Sequence, residues 1–145
     1  MTEREAPIVS FYGEYRFLSN FFPAPVVLDE ETYPTVEHGF QAAKTLLLGQ
    51  RKEIRLAPSA GAAKRMGRRV VLRADWNATR IAVMRDLVRQ KFKAEGPLAP
   101  RLLATGNALL VEGNHWHDTF WGQCPLGSGD NWLGKILMEI REEIR

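Results

Sequence analysis

From Asp75 to about Ala94 the apolar residues Ile81, Met84, Leu87, Val88 and Phe92 recur three and four positions apart, which places them on one face of a helix. Asp75 stands where a cap is wanted, and Gly96 and Pro97 stop the pattern. The same period returns near the end of the chain, where Leu133, Ile136, Leu137, Ile140 and Ile144 form one stripe behind Asp130 as its cap. Two amphipathic helices of this kind must bury their stripes, so the chain needs a helical core.

The rest of the chain adds shorter pieces to that core. Ile8 to Glu31 alternates aromatic and polar residues around Phe17-Leu18-Ser19-Asn20-Phe21-Phe22 and is broken by Gly13, Pro23 and Pro25. It predicts short strands and turns but no long central strand, because proline removes a ladder donor. Val36 to Leu48 predicts a helix capped by Thr35 and stopped by Gly49, with Phe40, Ala43 and Leu47 on its inner face. Ser59 to Met66 predicts a short helix ended by Gly67, Val70 to Leu72 a brief strand or basic connection, and Pro100 to Thr105 another short helix. Ala108 to Val111 reads as a strand, and Asn114 to Gly129 as an aromatic loop. The class expected is α+β, predominantly helical, with a few short strands. At 145 residues, without repeats or a long Gly/Ser/Pro linker, a single domain over 1–145 is expected, burying roughly two-thirds of its unfolded surface.

Charge is segregated along the sequence. Between Arg51 and Arg101 there are 14 Lys and Arg against 4 Asp and Glu, while the chain as a whole carries only +3. A local excess of this size points to an anionic partner such as phosphate, pyrophosphate or a nucleic-acid backbone, or else to a solvated surface balanced in space by the acidic segments. Met1 to Pro7 lacks the apolar run of a signal peptide, no window approaches a membrane span, and Cys124 is the single cysteine, so a cytoplasmic address without disulfides is expected.

Three constellations can carry chemistry. Glu37, Gln41 and Lys44 are spaced four and three apart and share one helical face, so a carboxylate, an amide and an amine point the same way. The same spacing fits a solvated face on which the helix dipole favours an early Glu. Asn114-His115-Trp116-His117-Asp118-Thr119-Phe120-Trp121-Gly122 brings rings and ionisable groups into a segment without helical or alternating order, either the wall of a ligand site or a loop folded over the core. Its two histidines lack a recognised metal-ligand spacing, and no metal is expected. Ala63-Lys64-Arg65-Met66-Gly67-Arg68-Arg69 joins a helix end to four cations able to hold phosphate oxygens, or simply to complement the helix dipole. Trp76 and Trp132 near helix starts read as core anchors, with Trp76 also placed to stack on a base. A Gly-x-Ser-x-Gly elbow, a Gly-rich phosphate loop and a dinucleotide fingerprint are all missing, which argues against a serine hydrolase, a P-loop enzyme and a Rossmann dehydrogenase.

Taken in order, Gly13, Phe17 to Phe21, the Tyr33-Pro34-Thr35-Val36-Glu37-His38 to Gln41 and Lys44 block, Ala63-Lys64 to Gly67-Arg68, Lys91-Phe92, Asp118 with Trp121-Gly122, and Asn131 to Leu133-Gly134 resemble the NADAR, or YbiA-like, family. The resemblance spans nearly the whole chain. It implies a mainly helical α+β domain that cleaves N-glycosidic bonds. The substrate would be either a phosphoribosylamino-pyrimidine intermediate of riboflavin synthesis or ADP-ribosylated guanine in nucleic acid. Carried over residue by residue, it implies catalytic roles for Glu37, Lys44 and Asp118, and substrate binding by Asn20, Gln41, Lys64, Arg68, Trp76 and Trp121. No cofactor is implied and no membrane is involved; the partners implied are a phosphorylated ribosyl or ADP-ribosyl substrate and nucleic acid carrying the modified guanine.

The chemistry fits these residue types. Cleaving a ribosyl C1–N bond develops positive charge on the sugar and negative charge on the departing base, which a carboxylate and a proton donor stabilise. A lysine amine can instead attack an opened sugar aldehyde and form a Schiff base. A module that binds ADP-ribose or nucleic acid without turnover is the alternative, but it has no need of the Glu37 and Lys44 pair.

Overall fold

The computed structural model describes residues 5–145, so the first four residues of the Met1 to Pro7 segment lie outside it. The architecture is α+β and predominantly helical. Among the described residues there are six α-helices, one 3-10 helix and one two-stranded sheet. The chain falls into two compact units, one of Asn20–Lys91 and one of Met1–Ser19 with Phe92–Arg145.

The Asn20–Lys91 unit starts with an antiparallel hairpin of β1 (Val26–Leu28) and β2 (Glu31–Tyr33), paired Val26 to Tyr33, Val27 to Thr32 and Leu28 to Glu31. Its two turn residues, Asp29 and Glu30, have φ of 46° and 72°, the doubly left-handed conformation that matches strand twist. No glycine relieves that turn. Instead Arg51 Nη1 donates to Asp29 Oδ2 at 2.6 Å and holds it from outside.

Helix α1 (Val36–Ala43) follows and is buried along all eight residues. It packs against β1, β2, α2 (Leu48–Arg55), α3 (Ala60–Gly67) and α4 (Trp76–Lys91). Thr35 caps α1 as expected: its Oγ1 accepts the His38 N–H at 3.1 Å. Ser59 does the same for α3 through the Ala62 N–H at 3.0 Å.

Several expectations need correction. The helix predicted to run to Leu48 ends at Ala43, and Gly49 lies inside α2 instead of stopping α1. Thr45 makes the break, because its hydroxyl donates to Gln50 Oε1 at 3.0 Å and accepts the Leu47 N–H at 3.2 Å. Leu47 is consequently half exposed and not on an inner face. Gly67 is the last residue of α3 and does not lie beyond it. Of the two readings of Val70 to Leu72, strand or connection, the connection is the one the structure has. Helix α4 stops at Lys91, short of Ala94; of its stripe Met84, Leu87, Val88 and Phe92 are buried, while Ile81 is only half-buried.

In the second unit, Gly13–Leu18 forms a 3-10 helix where strands and turns were expected, and it buries Phe17 and Leu18. The ring of Phe17 meets Phe92 edge-on at 6.3 Å. Ala108 to Val111 forms only an isolated parallel bridge, Ile8 to Leu110. Helix α5 spans Ala99–Leu103 and α6 spans Trp132–Glu143. Asp130 does not cap α6. That position belongs to Asn131, in left-handed conformation with φ 53°, whose side chain ties the start of α6 to the 110–112 segment. Its Nδ2 donates to the Leu110 carbonyl at 2.9 Å and its Oδ1 accepts the Glu112 N–H at 3.0 Å. Gly134 belongs to the same joint, since a Cβ there would lie 2.1 Å from the Leu110 carbonyl oxygen. Among the described residues no helix is long and apolar enough to cross a membrane.

Candidate active site

Glu37 sits in the first turn of α1 and is only 7% exposed, and Gln41, one turn on, is 5% exposed. The solvated-face alternative for this spacing therefore fails. Burying a carboxylate costs several kcal/mol unless its oxygens are met. Here Gln41 Nε2 donates to Glu37 Oε1 at 2.8 Å, and the N-terminal turn of α1 supplies a favourable dipole. The Glu37 N–H donates to the Asn20 carbonyl at 3.2 Å, which fixes the helix start.

Lys44 is the residue that closes α1, and it is half buried. Its pKa is lowered from the ordinary lysine value, first by burial, which penalises the charged form. Glu37 opposes this by favouring the ammonium, while Arg68 and then Lys64 reinforce it by repulsion. Lys44 Nζ lies 5.9 Å from the centroid of the Phe40 ring, and the Trp76 ring packs on Phe40 with centroids 5.1 Å apart. The arrangement is a buried carboxylate and an amine with weakened proton affinity, one helical face apart by two turns and influenced by cations from α3.

The remaining expected residues divide clearly. Asn20, Gln41, Lys64, Arg68 and Trp76 belong with Glu37 and Lys44 to the Asn20–Lys91 unit, whereas Asp118 and Trp121 belong to the other. Asn20 is 8% exposed and its Nδ2 faces the Met84 sulfur at 3.5 Å. Trp76 is 6% exposed. Arg68 is exposed at the C-cap of α3. Asp118 orders its own loop: Oδ1 accepts the N–H groups of Trp121 at 2.9 Å and Phe120 at 3.2 Å, and Asn114 brackets its main chain. His115, Trp116 and His117 are exposed. Among the described residues no group of three or more His, Cys, Asp or Glu could hold a metal ion.

The basic segment is partly consumed inside the fold. Arg51 is buried against Asp29 and the Thr45 carbonyl, Arg55 reaches Glu31 at 3.6 Å, and Arg73 grips Asp75 through two bonds of 2.6 and 3.0 Å. His38 also has structural work. Its Nε2 lies 3.1 Å from the Ala57 carbonyl and so must donate, leaving Nδ1 to accept the Thr35 hydroxyl at 2.8 Å. Periodicity carries no signal for any of these bonds, because each joins residues from different elements or a side chain to a cap.

The NADAR domain model matches residues 10–145. The N-glycosidase YbiA of Escherichia coli strain K12 is 42% identical over 142 residues, covering 94% of this chain and 88% of its own length. The NMR structure of the E. coli protein YbiA aligns with a TM-score of 0.83 at 41% identity, covering 98% of this chain and 87% of that one. A riboflavin biosynthesis protein of Vibrio vulnificus strain YJ016 is 40% identical over 145 residues, which are 97% of this chain but 39% of the longer protein. With the ordered motifs, the helical α+β fold and the matches over nearly the full length in agreement, the chain belongs to the NADAR family.

Proposed function

We propose that this chain, an N-glycosidase of the NADAR family, hydrolyses a ribosyl C1–N bond with Glu37 as the carboxylate at the reaction centre. The observation that carries the reading is Glu37 itself, buried in the first turn of α1, held by Gln41, and electrostatically coupled to a lysine whose pKa is lowered. A buried carboxylate beside an amine whose proton affinity is weakened is what acid–base chemistry requires and what a pure binding surface does not.

As the C1–N bond breaks, its electron pair leaves with the base nitrogen and positive charge gathers at C1. Glu37 stabilises that charge and accepts a proton from the attacking water, while the departing nitrogen takes a proton from the Lys44 ammonium, which is recharged when Glu37 releases its proton through solvent. Lys44 offers a second route with a ring-opened sugar. Its neutral amine adds to C1, the base departs with the C1–N pair, and water then cleaves the resulting iminium, restoring the amine and an aldehyde. Lys64 and Arg68 supply positive charge for the substrate's phosphates. The family resemblance supports a role for Asp118 on the ribose hydroxyls or in proton transfer.

The names of the relatives support N-glycosidase chemistry and a link to riboflavin synthesis. The link to riboflavin synthesis favours a phosphoribosylamino-pyrimidine as substrate class; the family resemblance adds ADP-ribosylated guanine in nucleic acid, and the cytoplasm is proposed as the place of action. Incubating the protein with a phosphoribosylaminouracil and with an ADP-ribosylated guanine oligonucleotide, and reading released base by mass spectrometry, tests the proposal. Release from either supports it; binding of both with release from neither makes the chain a binding module.

A further inference from the structure

Gly67 closes α3 in ordinary helical backbone, where alanine is favoured over glycine. The backbone thus gives no reason for a glycine at this place. The reason lies in Gln41. A Cβ on residue 67 would lie 1.9 Å from Gln41 Oε1, 2.7 Å from its Cδ and 3.1 Å from its Cβ. The amide of Gln41 is seated directly against the α3 main chain, in space that any side chain would fill.

The orientation of that amide is fixed by chemistry. The nitrogen of Gln41 donates to the Glu37 oxygen, so its oxygen faces Gly67. The oxygen is buried and has no hydrogen-bond partner among the described residues. Leaving a buried acceptor unmet is unfavourable. The fold accepts that cost while keeping the nitrogen on Glu37, and the oxygen lies buried against the α3 main chain at Gly67.

We infer that Gly67 is a positioning residue for the Glu37 carboxylate, acting through Gln41. By presenting no side chain it lets the amide wedge between α3 and Glu37, and the amide sets the carboxylate's direction. Gln41 in this account does not touch substrate. The inference rests on the reading of Glu37 as the reacting carboxylate and adds to it a relay from α3.

The test compares Glu37→Gln, Gln41→Ala, Gly67→Ala and the Gln41→Ala/Gly67→Ala double variant with the unaltered protein. Turnover is read on the phosphoribosylaminouracil and the ADP-ribosylated guanine oligonucleotide, and the Gln41 side-chain amide by ¹⁵N NMR. In Gly67→Ala the amide signal should shift and lose its protection from exchange. There kcat should fall about 10- to 100-fold, as expected for a sub-ångström to 1 Å misplacement, with KM changed less than about threefold. The double variant should be no slower than Gln41→Ala alone, because removing the amide removes the clash. Should Gly67→Ala fail to fold, the double variant must fold and match Gln41→Ala. An unchanged amide signal, a kcat within about twofold of normal while Glu37→Gln is inactive, multiplying effects in the double variant, or a double variant that does not fold overturns the inference. Normal turnover in Glu37→Gln overturns the underlying reading of Glu37, and the inference with it.

Discussion

Gln41 Nε2 donates to Glu37 Oε1 across one turn of α1 at 2.8 Å, and both side chains are buried. A glutamine and a glutamate four apart on a surface helix would form a weak, exchanging pair. Here the bond is enclosed, and it commits the glutamate to a single orientation.

Lys44 is the next group on that face, and its lowered pKa gives it a larger neutral fraction near neutral pH than a solvated lysine has. Borohydride added during turnover should therefore trap the sugar on Lys44 as a secondary amine. The adduct should vanish in Lys44→Ala and persist in Lys64→Ala. Because Arg68 helps lower the Lys44 pKa, Arg68→Glu should move half-maximal trapping to higher pH. An adduct on another lysine, or none from an active enzyme, leaves Lys44 as an electrostatic anchor.

Arg68 is exposed, so its contribution to phosphate binding should be sensitive to salt. Reversing its charge should raise KM more than it lowers kcat, and raised ionic strength should weaken binding by the unaltered protein. Measured KM values that respond to neither treatment would reduce the cations of α3 to a solvated face.

Lys91 is buried, with a pKa lowered by desolvation to about 7. An unfolded lysine titrates near ~10.4, so between these values the unfolded chain holds a proton that the folded chain has lost. Stability must then rise with pH across that window, by up to about 1.4 kcal/mol per pH unit for one proton. The penalty of a charged Lys91 is complete below about 7 and gone above the unfolded value. Urea melts from pH 7 to 10 should show this slope in the unaltered protein and a flatter one in Lys91→Met. Parallel slopes would mean that Lys91 keeps its charge when folded.

Much of this was legible in the sequence because it follows from burial on one side of a helix. Met84 to Phe92 of the first stripe and Leu133 to Ile140 of the second are buried as their period demands, with Ile81 and Ile144 at the ends only half-buried, and Thr35 caps α1 as expected. Helix α2 was not legible, since only Arg51 and Ile54 of its eight residues are buried and no stripe results. The 3-10 helix at Gly13–Leu18 was mistaken for strands because alternating rings suit both when the segment is short. At the site, spacing put Glu37, Gln41 and Lys44 together but could not say which way their face turned. That depended on α3, and the fit of Gly67 to Gln41 joins residues 26 apart in sequence with no periodic trace.

Replacing Glu37 by glutamine removes the charge while keeping the shape, and a glutamine carbonyl at that position can still accept from Gln41, so the fold should survive. Steady-state release of free base by Glu37→Gln, beside the unaltered enzyme on the same substrate, tests the central claim most directly. The account predicts a folded variant with kcat reduced by about 10² to 10⁴. A folded Glu37→Gln protein that releases base at close to the normal rate would contradict it.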